Sequence, residues 1–326
     1  MNLEDLFTAA SLTESVNKLP ALPTKVGASG LFTEKGIATT TVVIDAKDGR
    51  LVLVPNTSRN SDPQPVKAGG RTRRTFTCSH LPVTGQVLPV DVQNLTSFGS
   101  AEALTSQAEV INDVLGGLKN SVEATREFQR VGAVRGKILD ADGSVIYDLF
   151  EEFGVSKKSI NIAFGTAATN VRKACLDAKR HAESKLGGTL VAGFRAYCGP
   201  DWFDLFTNHD NVKAAFANYQ EAADRLGGDN RKGFSFAGIE FVEYDATVSG
   251  QRYIPTDVAQ VFPVAQGVFS LLNAPANYNE AVNTLGKPWY AKSEPRRMGK
   301  GWDVEVQANP LAMCMVPEAL VELKAA

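Results

Sequence analysis

The chain has 326 residues, with 34 Lys and Arg against 36 Asp and Glu and a formal net charge of −2. That length exceeds one average domain, and 44% hydrophobic with 21% charged residues is the composition of a folded protein. The near-neutral balance argues against nucleic-acid binding as the main source of affinity, because such proteins carry excess positive charge. No apolar run approaches the ~20 residues of a membrane-spanning helix. The start Met1-Asn2-Leu3-Glu4-Asp5 puts acids where a secretory signal would carry Lys or Arg. Cys78, Cys175, Cys198 and Cys314 fall at no metal or redox spacing and read as reduced core residues.

In chain order, Leu3, Leu6, Phe7, Ala10, Leu12 and Val16 predict a short amphipathic helix that Pro20 and Pro23 stop. An extended arm follows through Gly27 and Gly30. Such a segment buries little against itself, so its helix docks on its own body or on a neighbour. Residues 37–44 and 51–54 are rich in Val, Ile, Thr and Leu, and Asp48-Gly49 between them predicts a hairpin. Residues 56–89 read as a long polar excursion whose second half, 75–90, alternates weakly like a twisted strand. Loops of that length usually have a task outside the domain that carries them.

Leu104, Ala108, Ile111, Leu115, Leu118 and Val122 recur at steps of four and three, which predicts a long helix from Ser100 to about Val134. Gly116-Gly117 invites a bend in it. Residues 137–139 and 145–147, joined by Asp140-Ala141-Asp142-Gly143, form a second predicted hairpin. Helices follow at 167–186, around 202–206 and at 212–226. Strands are expected at 190–197, 234–244 and 258–264, then a basic turn over 292–300 and a long final strand over 302–316. Strands and helices do not alternate strictly, so the class is α+β and not a doubly wound sheet.

Candidate chemistry is sparse. His181 and Glu183 lie two apart on a helix and point away from each other. His209-Asp210 has no nucleophile motif beside it, and His80 stands alone. No phosphate-cradling glycine motif occurs. Asp201 and Asp204 could share a cation, but a helix N-terminus favours acids without one. No residue is assigned a catalytic, cofactor-binding or metal-binding role. The basic groups leave more room: Arg71, Arg73 and Arg74 beside Gly69-Gly70 at a loop tip, Arg296, Arg297 and Lys300 before the last strand, and Arg126, Arg130 and Lys137 behind the long helix. A solvated face is the simple reading. Pairing between subunits is the sharper one, because guanidinium forks bind carboxylates bidentately. DNA contact comes third, for want of interleaved aromatics.

Several segments resemble the phage major capsid protein E family, the lambda-type branch of the Hong Kong 97 capsid fold. They are Phe76-Thr77-Cys78-Ser79-His80-Leu81-Pro82, Asp91-Val92-Gln93, Phe98-Gly99, the hairpin from Gly136 to Gly143, and Phe153-Gly154. Gly238-Ile239-Glu240-Phe241-Val242-Glu243-Tyr244, Tyr253-Ile254-Pro255, Val282-Asn283-Thr284-Leu285-Gly286, Asn309-Pro310-Leu311 and Val316-Pro317-Glu318-Ala319-Leu320 continue the likeness to the end. The resemblance rests on their shared order along the whole chain.

It implies an N-terminal arm at 1–30 and an extended loop region at 31–96. A peripheral domain with a spine helix would occupy 97–189 and an axial domain 190–286, with a return to the peripheral domain at 287–326. It also implies a structural, non-enzymatic head protein that forms hexamers and pentamers of an icosahedral shell around double-stranded DNA. The expected partners are other copies of the chain, portal, scaffolding and decoration proteins, and packaged DNA, with no cofactor and no membrane. The expected location is the virion, and the host cytoplasm during assembly. No lysine and asparagine pair for cross-linking stands out, Lys67 being one lysine in a polar loop, so a non-covalent shell is expected. The rival readings are a phage tail or tube protein and a cytosolic hydrolase-type enzyme with a cleft in 190–286.

Overall fold

In the computed structural model, which describes residues 8–19, 24–47, 71–93, 107–217 and 233–326, the first helix begins at a threonine. The Thr8 hydroxyl accepts the Ser11 amide at 3.2 Å and caps α1, Ala9–Lys18. Its apolar stripe, Leu12 and Val16, is buried with Val87, Ile111, Leu115, Val122, Trp289, Ala291, Val304 and Val306. The helix therefore docks on its own subunit. Thr13 and Asn17 fix it there, Asn17 Nδ2 donating to the Trp289 carbonyl at 2.9 Å and Thr13 Oγ1 to that of Ala291 at 3.2 Å.

These residues belong to the first of two compact units, drawn from Met1–Val42, Thr77–Arg130 and Ser270–Met313. Its antiparallel sheet runs Tyr290–Pro295, Trp302–Ala308, Leu81–Val87, with Ser293 and Gly85 both opposite Val304. A second sheet places Thr33–Gly36 parallel to Phe269–Asn273, with Pro310–Cys314 beyond. The short helix α2, Pro89–Val92, begins where the Asp91 carboxylate accepts the Leu88 amide at 2.8 Å. The long helix α3 spans Gln107–Arg135 and continues unbroken through Gly116-Gly117. The predicted stripe is its buried side: Ile111 and Leu115 are fully buried, and Val122 nearly so.

The second unit comprises Val43–Phe76, Val131–Phe269 and Cys314–Ala326. Its centre is a mixed six-stranded sheet in the order Lys158–Ile162, Val321–Ala325, Val258–Val264, Gly193–Cys198, Ile239–Glu243, Phe234–Phe236. Val258–Val264 is apolar apart from Gln260, and nearly every residue in it is buried. Near Lys137–Leu139 lies the short helix α4, Leu149–Phe153, with Asp148 as its N-cap. Three further helices are α5, Val171–Lys185, α6, Pro200–Asn208, and α7, Asp210–Ala217. Asn170 caps α5 by accepting the Lys173 amide at 2.9 Å. The mixture of helices with parallel and antiparallel strands is α+β, as the patterning implied.

Several boundaries differ from the sequence reading. The strand expected from 37 starts at Thr41, and its described partner is Arg71–Thr77; Asp48-Gly49 and 51–54 lie outside the described residues, as do Lys67 and 100–106. The weak strand over 75–90 is two strands parted at Cys78-Ser79-His80, where the Cys78 amide donates to the Thr40 carbonyl and that of Ser79 to Pro310. Residues 234–244 form two strands around Ala237 and Gly238, at φ 51° and 75°. The long last strand splits at Asn309, whose side chain donates to the Pro275 carbonyl at 3.2 Å. Half of the basic turn over 292–300 is strand, Tyr290–Pro295. Past the last predicted strand the chain forms one more, Val321–Ala325, because Val321 and Leu323 fill the sheet's core.

Candidate functional site

Four charges on α3 recur at helical spacing: Glu123, Arg126, Glu127 and Arg130. Steps of three and four put them on one face, and that face is buried, with exposures of 5%, 2%, 0% and 6% in that order. Burying four charges is tolerable only if each is paired and hydrogen-bonded. Arg130 Nη1 donates to Glu123 Oε1 at 2.6 Å and to Glu127 Oε2 at 3.3 Å. Arg126 Nη2 donates to Glu34 Oε1 at 2.8 Å, and its guanidinium lies 4.5 Å from the centre of the Trp289 ring. Burial pulls the Arg126 guanidinium below the usual arginine range, against the pull of Glu123 and Glu34. Burial also opposes charge on Arg130, but the Glu123 and Glu127 carboxylates outweigh it and raise that guanidinium.

The remaining acceptors reach backbone. Glu127 takes the Val26 amide at 2.6 Å and the Gly27 amide at 3.0 Å, one on each oxygen. A side chain at Gly27 would put its Cβ 3.0 Å from Arg130 Nη1 and 2.4 Å from Thr24 Oγ1, so the chain passes here only as glycine. One turn earlier, the Lys119 ammonium donates to the Val16 and Leu19 carbonyls at 2.7 and 2.6 Å, satisfying the end of α1. The network fastens Val16, Leu19, Val26, Gly27, Glu34 and Trp289 to the long helix. Arg126 Nε is buried without a hydrogen-bond partner, but the charged ends of the network engage one another and the backbone, which suits a clamp.

The other candidates have structural roles. His80 Nδ1 meets Asn309 Oδ1 at 2.7 Å, His181 Nε2 meets the Glu318 carbonyl at 3.1 Å, and the buried His209 accepts the Asn211 amide at 3.2 Å. Cys78, His80 and Asn309 line one groove of about 680 Å³, residue types that serve nucleophilic catalysis elsewhere. Here burial pushes the Cys78 thiol up to about 11, the opposite of an activated thiolate. Burial likewise pushes Cys175 and Cys314 up to about 12. Among the described residues no group of His, Cys, Asp and Glu gathers to hold a metal.

The arginine clusters lie in different units. Arg71, Arg73 and Arg74 occupy the strand Arg71–Thr77, not a loop tip. Arg73 is exposed, and the Arg74 guanidinium lies 5.3 Å from the centre of the Phe153 ring. Arg296 is engaged within its own chain, with Asp303 at 3.4 Å and Gln86 at 3.3 Å. Arg297 and Lys300 are exposed and make no ion pair among the described residues. Lys137, the third group behind the long helix, pairs with Asp148 at 2.9 Å. Arg126 and Arg130, read as solvated or intersubunit charges, are instead the buried core of the clamp. The signal that could have found them is Glu-x-x-Arg-Glu-x-x-Arg over 123–130, a self-paired face.

The model of the family described as phage major capsid protein E matches residues 8–325. The chain belongs to that family. It is a structural subunit of a phage head, found in the virion, and not an enzyme or a tail tube. The major capsid protein of Salmonella phage Felix O1 is 25% identical, aligned over 98% of this chain and 96% of its own. A protein assigned as the capsid protein of a prophage in E. coli CFT073 has the same fold, with a TM-score of 0.60 at 15% identity over 98% of this chain and 99% of its own. The capsid of Myoviridae phage XM1 gives a TM-score of 0.53 at 8% identity, covering 94% of each chain. The fold of this capsid subunit is thus the Hong Kong 97-like one. Self-assembly into a multimeric shell is what such a subunit does, and the clamp on α3 is part of its internal framework.

Proposed function

We propose that copies of this subunit close as hexamers and pentamers into an icosahedral head around double-stranded DNA, assembled in the host cytoplasm. In this reading 1–30 is the arm, 31–96 the extended loop region, 97–189 with 287–326 the peripheral domain, and 190–286 the axial domain. Scaffolding, portal and decoration proteins are its further partners, and no cross-link holds the shell. Arg71, Arg73, Arg74, Arg296, Arg297 and Lys300 are contact candidates between subunits, with Arg296 the weakest because Asp303 already engages it.

The observation that supports this reading is the strand pair Thr41–Lys47 and Arg71–Thr77, which among the described residues is a two-stranded sheet. Phe76, fully buried against Tyr147 and Phe153 at 5.3 and 6.0 Å, anchors its base. An isolated two-stranded ribbon is marginal in water, and Val43 on it is 52% exposed. A neighbouring subunit would supply the missing surface. Negative-stain microscopy of the expressed chain should show closed shells with fivefold and sixfold capsomers. Tubes, or a small discrete oligomer at every concentration, would overturn the reading.

A further inference from the structure

Helices α5, α6 and α7 of the second unit form a layer whose charges differ in sign from helix to helix. Ring contacts and strand register put them on one face of the six-stranded sheet. Trp202 of α6 stacks on Phe241 at 5.6 Å, and Phe241 pairs in register with Ala196, two residues from Cys198 and on the same face. On α5 the Lys179 ammonium lies 5.4 Å from the centre of the Phe194 ring, and Phe194, two residues before Ala196, is on that face too. The same layer includes α7, where Asn211 Nδ2 donates to the Thr169 carbonyl at 2.6 Å, just before α5.

The charges of this layer divide by helix. On α5 stand Arg172, Lys173, Lys179, Arg180 and Lys185 against two acids, Asp177 and Glu183. On α6 and α7 stand Asp201, Asp204 and Asp210 against Lys213. Arg180 pairs with Asp177 and Lys185 with Glu318 inside the subunit. Arg172, Lys173, Asp201, Asp204 and Asp210 are all exposed and make no ion pair among the described residues. One large apolar side chain on the layer is exposed, Leu205 of α6 at 47%, next in sequence to Asp204. An exposed leucine among charged residues fits an interface with a polar rim.

We propose that this layer is a contact face between copies of the chain, with the cations of α5 set against the carboxylates of α6 and α7 on the next copy. The proposal rests on the shell-forming reading and names one of its interfaces. Charge complementarity selects the occupant. A nucleic-acid backbone would satisfy Arg172 and Lys173 but would meet three like-charged carboxylates and Leu205 on the same layer. A second copy satisfies both ends at once, and unlike patches meeting head to tail are the geometry that generates rings. Complementary charges would also steer the encounter and suppress wrong registers.

The test is a charge swap in the full chain, read by particle yield, particle DNA content and thermal melting. Arg172→Glu with Lys173→Glu, and separately Asp201→Lys with Asp204→Lys, should each lower particle yield about tenfold, because one repulsive contact recurs at every subunit position. Combining all four in one chain restores opposite charges with reversed polarity and should recover most of that yield. Asp201 sits where the α6 dipole favours a carboxylate, so Asp201→Asn with Asp204→Asn separates a weakened helix from a lost contact. Normal yield from both reversed pairs, or no recovery in a combined variant that melts normally, would overturn the proposal. So would an Arg172 and Lys173 variant that forms normal shells and loses only DNA, since the face would then touch nucleic acid. A wild-type chain that never forms particles would defeat the shell-forming reading instead.

Discussion

Arg126 shows how much one residue can decide. Its guanidinium joins Glu34 and Glu123 and lies against Trp289, at 2% exposure. Arg126→Ala leaves a buried Glu123 short of one partner and opens a void under the tryptophan. The expected cost is about 3–5 kcal/mol, the penalty for removing one side of a buried ion pair, read as a lower urea midpoint at an unchanged slope. Glu322 makes a prediction about pH. Burial opposes its charge, but Lys157 and Lys324 outweigh burial and hold its carboxyl below the usual carboxylate range. A depressed carboxyl contributes stability above its unfolded value, and that contribution is lost as pH falls through the folded value. Glu322→Gln should therefore melt earlier than wild type at neutral pH, and the gap should close below pH ~4. A gap that is constant with pH would mean that the carboxylate's charge contributes nothing.

At the scale of elements, the hairpin Lys137–Leu139 with Val145–Asp148 was legible from Asp140-Ala141-Asp142-Gly143. Gly143 holds φ at 87°, and its amide donates to the Asp140 carbonyl at 2.9 Å. A Cβ there would also stand 3.1 Å from the Gln251 amide. Gly143→Val should cost on the order of 1–2 kcal/mol or more from backbone strain, visible in thermal melts and as a lower particle yield. The long helix was legible for a different reason, since Ile111, Leu115 and Val122 repeat at its own period. Arg126 and Arg130 were misread on that helix because periodicity reveals a face and not its depth. Their side chains are buried by residues 24–36 and Trp289, which are distant in sequence. The final strand was missed for a similar cause: Val-Glu-Leu-Lys-Ala carries too little signal alone, and its neighbours Lys158–Ile162 and Val258–Val264 make it a strand.

For the molecule as a shell component, the arginines of Arg71–Thr77 give an assembly prediction. Replacing Arg71, Arg73 and Arg74 by Ala should move the melting temperature little. The Arg74 contact with Phe153 contributes about 0.5–1 kcal/mol if it behaves like other exposed cation–π pairs. Shell yield should fall, and high salt should mimic the loss in part, because exposed pairs are screened over about 8–10 Å. Normal, salt-resistant particles from the triple variant would show these arginines to be merely solvated. The shared order of short motifs along the chain was sufficient by itself to indicate the family. That information is local: turn dipeptides, apolar periods and short motifs each occupy a few consecutive residues. Tertiary structure alone decided where the charges lie, placing Arg126 in a buried clamp, Arg296 against Asp303, and Arg172 and Asp204 at solvent on one helical layer. A charged side chain reads the same in sequence whether it is solvated, buried or turned toward a neighbour, and only the segments packed around it set the difference.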